Sequence, residues 1–220
     1  MDGDSGIHAD AAEEGVTSAR VADGADVVIR RVRPSDQRPL ADFYAGLSPE
    51  SRRARFLGII PGLTPSQSLS FCTPDHQHGE GFVAVAGDRL VGHLCLEPNG
   101  AGSLELAVAV ADEWQGRTIG RRLFEAALAW ARGHGCRTIV ATAYADNLRV
   151  LRLLSSAPLP PTVRGPEAGV VTVTIPLSGA LPQPWRKVVR PQRPQRLVSA
   201  TSPCRVVWRR RRPPVRDAAG

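Results

Sequence analysis

Sulfur is scarce in this chain of 220 residues, which has four cysteines and one methionine. Cys72, Cys95, Cys136 and Cys204 stand far apart with no CxxC pair, so neither a zinc site nor a disulfide framework can be read from their spacing. The first three are expected as small buried side chains. Long apolar runs are missing too. No stretch approaches the roughly 18 consecutive apolar residues that would cross a bilayer, which excludes a helical membrane span and makes a soluble, cytoplasmic protein the expectation. The opening MDGDSGIHADAAEEGVTSARVADGAD holds no apolar segment of signal-peptide length. With seven acidic residues and one arginine, residues 1–26 read as a disordered acidic lead-in. GxxxxGK[ST] and a GxGxxG after the first strand are both absent, which argues against a P-loop and a dinucleotide fold. No internal repeat is visible at solenoid periods.

With 42% hydrophobic residues, the chain is long enough for one well-cored domain plus tails. Its net charge of +7 is unevenly placed: residues 1–182 carry 17 Arg against 20 Asp+Glu, and residues 183–220 carry 11 Lys+Arg against one Asp. The basicity therefore belongs to a Pro/Arg-rich tail, 183–220, expected to be disordered. Its RRRR run beside Trp208 could contact nucleic acid or another polyanion through charge and stacking, or could be a solvated low-complexity tail. The domain is assigned to 27–182.

Within it, helical and extended patterns alternate. VVIRRVR (27–33) reads as a first strand, followed by a helix with Ser35 as cap and Leu40, Phe43 and Leu47 as apolar positions. SPESRRARFLG reads as a second helix, with Ser48 as N-cap, Pro49 at the first helical position and Glu50 in the first turn. GFVAVAGDRLVGHLCLEPN reads as two strands joined at Gly87-Asp88, and SLELAVAVA (103–111) as a third, giving an antiparallel meander. After Gly120, Ile119, Leu123, Ala127, Trp130 and Ala131 share one helical face, and Arg121, Arg122, Glu125 and Arg132 lie off it. CRTIVATAY is a buried strand, NLRVLRLLSSA a last helix stopped at Pro158, and GVVTVTIPL a closing strand. His76 and His78 in PDHQHGE have no further ligand cluster around them and read as a loop, so no metal site is expected.

The stretch that carries chemistry is DEWQGRTIGRRLF (112–124). A loop entering a helix N-terminus presents unpaired N–H groups and partial positive charge, which suits a pyrophosphate. Arg117, Arg121 and Arg122 add planar donor forks. On these residues alone, an ordinary tight turn with close packing at Gly116 and Gly120 fits as well. Glu105, a carboxylate inside SLELAVAVA, is costly to bury unless paired and is a candidate functional group, or it points from the sheet to solvent.

VADEWQGRTIGRRLFEAALAWARGHG resembles the acyl-CoA motif [Q/R]-x-x-G-x-[G/A] of the GCN5-related N-acetyltransferases, the GNAT family. IRRVRPSD, LSPESRRARFLG, GDRLVGH and DNLRVLRLL fall in that family's order, so the resemblance spans residues 27–178. LSPESRRARF resembles the branch containing bacterial protein-lysine acetyltransferases. The resemblance implies an α/β (α+β) acyl-CoA N-acyltransferase fold with a mixed, mostly antiparallel central sheet flanked by helices. It implies acetyl transfer from acetyl-CoA, without a metal, to an amine acceptor such as a protein lysine, an N-terminus or a small amine. Gln115, Gly116, Arg117, Thr118, Ile119 and Gly120 would wrap the pyrophosphate, with Arg117 and Arg121 reaching phosphate. Val108 and Val110 would offer strand backbone to the pantetheine, and Asn147 a side chain. Glu105 would be the general base, direct or through a water, and an N–H near Val108 would stabilise the oxyanion.

Three positions depart from the family pattern. Thr118 replaces the usual middle glycine, tolerable if it takes first-turn helical torsions and able to offer its hydroxyl to phosphate. Leu154 stands where relatives place a tyrosine that protonates the leaving thiolate. Tyr144 is the nearby phenol and is expected to be structural. Pro158-Leu159 and PPTVRG replace Gly-Phe and are expected to deform the final hairpin. These departures leave two other readings standing, an impaired or noncatalytic acyl-CoA-binding module and a nucleic-acid-associated protein recruited through the tail.

Overall fold

A computed structural model describes residues 17–20, 26–100 and 102–177. The Pro/Arg-rich tail, Trp208 and most of the acidic lead-in lie outside these residues. Eight strands form one sheet in the order β1-β2-β3-β4-β5-β6-β8-β7. They are β1 (Thr17–Arg20), β2 (Asp26–Arg31), β3 (Glu80–Ala86), β4 (Arg89–Pro98), β5 (Ser103–Val110), β6 (Thr138–Tyr144), β7 (Thr162–Glu167) and β8 (Val170–Pro176). The helices are α1 (Gln37–Gly46), α2 (Pro49–Phe56), α3 (Pro65–Cys72), α4 (Ile119–Gly133) and α5 (Leu148–Ser155). All strand pairs are antiparallel except β5 with β6. Among the described residues, no helix is long and apolar enough to cross a membrane.

The meander from β2 to β5 and the α4–β6–α5–β8 succession follow the hydrophobic periods of the sequence. Three details differ from expectation. Thr17–Arg20, inside the segment expected to be disordered, pairs along β2 and extends the sheet edge; main-chain bonds to an open edge suffice for so short a strand. Ser35 does not cap α1. It sits in a 3₁₀ turn, Pro34–Asp36, that leads into the helix. The final hairpin forms as β7 and β8, and the irregularity around PPTVRG is a register shift between Arg164 and Glu167. Helix α3 begins at a Thr64/Gln67 capping box with Pro65 at the first position, the start signal that TPSQ carries.

Two cores lie on opposite faces of the sheet. On one, Ile119, Leu123, Phe124 and Ala127 of α4 pack against β3, β4 and β5. Gly92 permits this approach, since a Cβ there would fall 3.0 Å from Leu123 Cδ1 and 3.2 Å from Ile119 Cγ2. On the other, Leu40, Phe43, Tyr44, Phe56 and Phe71 from α1, α2 and α3 cover Val83, Leu90 and Cys95.

The turn into α1 is pinned by charge. Asp36 is buried and accepts both Arg30 guanidinium donors at 2.7 Å and the Arg33 backbone N–H at 2.8 Å. Burial alone would raise this carboxyl, but the hydrogen bonds from Arg30 and Arg33 and their charges hold it below its ordinary value. A depressed folded-state pKa contributes stability above about pH 4, lost as pH falls through the folded value. Asp36→Asn is therefore expected to lower the melting temperature at pH 7, with the gap to wild type narrowing toward pH 3 in thermal melts. An equal gap at both pH values would show that the carboxylate charge contributes nothing.

Candidate functional site

Strand β5 binds different partners along its two edges. Its β4 edge is paired from Leu104 to Val110, whereas its parallel ladder with β6 covers only Ser103, Leu104 and Glu105. Beyond Val140, β6 continues to Tyr144 along β8. The sheet is thus parted between β5 and β6. The Ala111 N–H bonds Val91 O in β4, and the Val110 carbonyl accepts from Gln115 Nε2 on the other side. Strand alternation then turns the peptide groups of Val108, as well as those of Val110, toward the split, where β6 supplies no ladder partner.

A cleft of about 850 Å³ occupies this split, a volume typical of sites for extended small molecules. Its walls are β5 from Leu106 to Val110, β6 from Ala141 to Tyr144, α2, α5 and the turn that opens α4. Helix α4 meets the sheet face opposite α2, and α2 packs against both β5 and β6.

The turn before α4 is left-handed twice. Gly116 has φ +80°, and Thr118 has φ +70° and ψ −4°. Thr118 therefore does not take first-turn helical torsions, the condition under which the sequence made it tolerable. It is the residue before the helix, and its carbonyl accepts the Arg122 N–H at 3.1 Å. A β-branched residue is disfavoured at such torsions by about 1–2 kcal/mol. Gly116, Thr118, Ile119 and Gly120 all line the cleft.

A hydrogen-bonded clamp fixes this turn to α2. Asp112 accepts the Ser48 N–H at 2.8 Å, the Ser48 hydroxyl at 2.9 Å and the Ser51 hydroxyl at 2.6 Å. Desolvation opposes ionisation of Asp112, but these donors outweigh it and hold its carboxyl below the ordinary range. Ser48 caps α2 as expected, accepting the Ser51 N–H at 3.1 Å. Gln115 Nε2 also reaches Ser51 Oγ at 3.2 Å, and the Gln115 side-chain oxygen, Oε1, accepts from Arg149 of α5. Asp112, Ser51 and Arg149 are functional-region residues that the sequence reading missed. The Asp in DEWQG and the cap in LSPES were visible, but not their contact across more than 60 positions.

The other candidates separate. Arg121 lines the cleft, as does Asn147, whose side-chain oxygen caps α5 by accepting the Val150 N–H at 3.2 Å. Arg117 is outside the lining, its guanidinium 5.0 Å from the centre of the Trp114 ring. Glu105 is half-buried and also outside it, because the β5 lining starts at Leu106. By alternation it shares the α2 side with Ala107 and Ala109 and stands opposite Glu97 in register. Leu154 is buried in the core and reaches the cleft wall. Tyr144, expected to be structural, lines the cleft, with the Arg53 guanidinium 4.2 Å from its ring centre. His76 and His78 pair with Glu80 and Asp75 at 3.0 and 2.8 Å, remote from the cleft lining.

A mixed sheet parted at its parallel pair, with a glycine-containing turn feeding a helix at the mouth of the gap, is the architecture of an acyltransferase. The model of the acetyltransferase (GNAT) family matches residues 52–156. An acetyltransferase of Pseudomonas aeruginosa is 33% identical over 143 residues, covering 61% of this chain and 75% of that protein. The GNAT domain of a Streptomyces lividans protein described as PAT superposes with a TM-score of 0.68 at 26% identity, over 74% of this chain and 97% of that one. A putative acetyltransferase from Salmonella typhimurium, solved with acetyl-CoA, shares the fold with a TM-score of 0.58 at 19% identity, over 72% and 99% of the two chains. The chain belongs to the GNAT acetyltransferase family, and it is an acyltransferase enzyme.

The torsion at Thr118 makes a direct prediction. Thr118→Gly removes the steric penalty at the cost of unfolded-chain entropy, so stability should rise by about 1 kcal/mol. Denaturant titration checks this, and an unchanged or lower midpoint would show that the Thr118 side chain compensates through contacts of its own.

Proposed function

We propose that this enzyme transfers the acetyl group of acetyl-CoA to a primary amine, with direct attack of the amine on the thioester, in the cytoplasm. The observation that carries the reading is the row of β5 peptide groups facing a gap that ends at the left-handed turn before α4. An extended chain bearing amides, as pantetheine does, can bond to Val108 and Val110 as an added strand would. A pyrophosphate at its far end meets the N–H groups of Gly116 to Gly120, the positive end of α4 and the Arg121 side chain. Space supports this assignment. A Cβ at Gly120 would lie 3.7 Å from both Leu153 Cδ2 and Val110 Cγ2, so a larger side chain would grow into the cleft. The amide nitrogen of Asn147, whose oxygen is used as a cap, is suited to donate to the pantetheine.

Amine attack requires loss of the ammonium proton. Glu105 is the strand carboxylate on the α2 side, one alternation before the cleft-lining Ala107, and a water between it and the acceptor would carry the proton. Leu154 cannot protonate the sulfur. A thiol with a reference pKa of about 8.5 leaves tolerably as thiolate, so transfer does not depend on a phenol at that position.

Calorimetric titration should show binding of both acetyl-CoA and CoA, with Gly120→Glu weakening it at least tenfold; intact affinity in that variant would remove the cradle from the account. Glu105→Gln should lower kcat by about 10²-fold or more without changing acetyl-CoA affinity, the magnitude usual for a lost general base. An unaltered rate and pH profile would take Glu105 out of the reaction.

A further inference from the structure

The two walls of the cleft carry different cations. Arg121, Arg149 and Arg152 stand on the α4–α5 side, next to the turn assigned to pyrophosphate. Arg53 and Arg55 stand on α2, across the sheet from α4. A phosphate cradle accounts for the first group. It does not account for two arginines on the wall that bridges β5 and β6 from the other face.

Arg55 is placed by the core. It is 7% exposed, its Nη2 lies 3.1 Å from Cys95 Sγ, and Cys95 is the register partner of Ala107. The guanidinium therefore sits beside β5 two residues past Glu105, where β6 has begun to diverge. It lies among the rings of Tyr44, Phe56 and Phe71, 5.8, 4.8 and 5.6 Å from their centres, and the Tyr44 hydroxyl is 2.8 Å from His93 Nδ1. Burial pushes His93 down to about 3, so the imidazole is neutral and shares a hydrogen bond with the Tyr44 hydroxyl. The Arg55 guanidinium is thereby held in the aromatic core behind the cleft wall. Arg53, exposed to the cleft, lies flat over Tyr144 at 4.2 Å. Stacking fixes the plane of the guanidinium and leaves its in-plane donors for a ligand.

We propose that the acceptor carries a carboxylate close to its reacting amine, and that Arg53 recognises that carboxylate, with the buried charge of Arg55 behind the same wall, and so determines specificity. The inference rests on the acetyl-transfer reading above. A planar guanidinium matches a carboxylate through paired N–H donors, and lysine would not replace it. The acidic residues lining the cleft are Glu50 and Asp146, against five arginines, 53, 55, 121, 149 and 152. With the α4–α5 arginines facing the cofactor's phosphates, the α2 wall still sets two arginines against Glu50, a balance that does not favour a purely cationic acceptor such as a polyamine. The same positive field disfavours the ammonium form of the bound acceptor and increases its free-amine fraction. In the transfer, the ammonium first loses one proton to base or water, the freed amine nitrogen bonds to the acyl carbon, the C–S bond breaks with its electron pair leaving on sulfur, and the second N–H proton passes to water or to the departing thiolate.

The test uses the full chain with saturating acetyl-CoA, following CoA release over matched acceptor pairs. One arm compares free α-amino acids with their amides; a second compares lysine peptides flanked by Asp or Glu with the same peptides flanked by Asn or Gln. The two arms distinguish a small acceptor from a protein side chain. The carboxylated member of at least one arm should have kcat/KM at least tenfold higher. Arg53→Gln and Arg53→Lys should abolish that preference through KM while acetyl-CoA affinity in calorimetry stays unchanged. Equal or better use of the neutral members, or no acetylation in either arm by protein that binds acetyl-CoA, overturns the inference and leaves the cofactor reading standing. Failure to bind acetyl-CoA removes both.

Discussion

The parallel ladder between β5 and β6 stops after three residue pairs, and the site depends on that interruption. Each half of the sheet is complete on its own side: β5 stays bonded to β4 as far as Val110, and β6 to β8 as far as Tyr144. Only their shared edge opens. Backbone groups that lose a strand partner are costly unless something replaces it; Gln115 replaces it at the Val110 carbonyl, and the peptide groups of Val108 together with the Val110 N–H are predisposed to a ligand with an amide backbone of its own. The packing of α4 over β3 and β4, allowed by the missing side chain at Gly92, keeps one half in place while the other diverges.

The Asp112 clamp determines how the two sides of the cleft meet. Through Ser48 and Ser51 it ties the start of α2 to the loop before α4, and through Gln115 that loop reaches Arg149 on α5. The helix presenting Arg53 and Arg55 and the turn presenting Gly116 to Gly120 are thereby parts of one hydrogen-bonded unit. The left-handed Thr118 belongs to the same unit. Its carbonyl opens the α4 ladder by accepting the Arg122 N–H, three residues after the clamped Gln115.

Much of this was legible in the sequence. The 3.6-residue period of Ile119, Leu123, Ala127 and Ala131 determined the buried face of α4, the β-branched runs located the meander, and Ser48-Pro49 marked the start of α2. QGRTIG and its place after a strand bearing Glu105 identified the family that the comparisons then showed. What was not legible depends on contacts distant in sequence. The torsion of Thr118 follows from how the loop closes, not from threonine's own preference, which points the other way. The exclusion of Glu105 from the cleft lining depends on where β6 diverges, and the stacking of Arg53 on Tyr144 depends on α2 crossing the gap. Strand β1 carries no strong local signal because edge backbone bonds alone define it.

The central claim is that the parted edge of β5 and the turn before α4 together hold the acyl donor. Amide hydrogen exchange resolved to single residues, with and without acetyl-CoA, tests it most directly. Protection should rise at Val108, Val110 and Gly116 to Gly120, while the amides of β7 remain unchanged. Binding of acetyl-CoA with no added protection along β5 would contradict the account, because the ligand would then lie somewhere other than in the split between the strands.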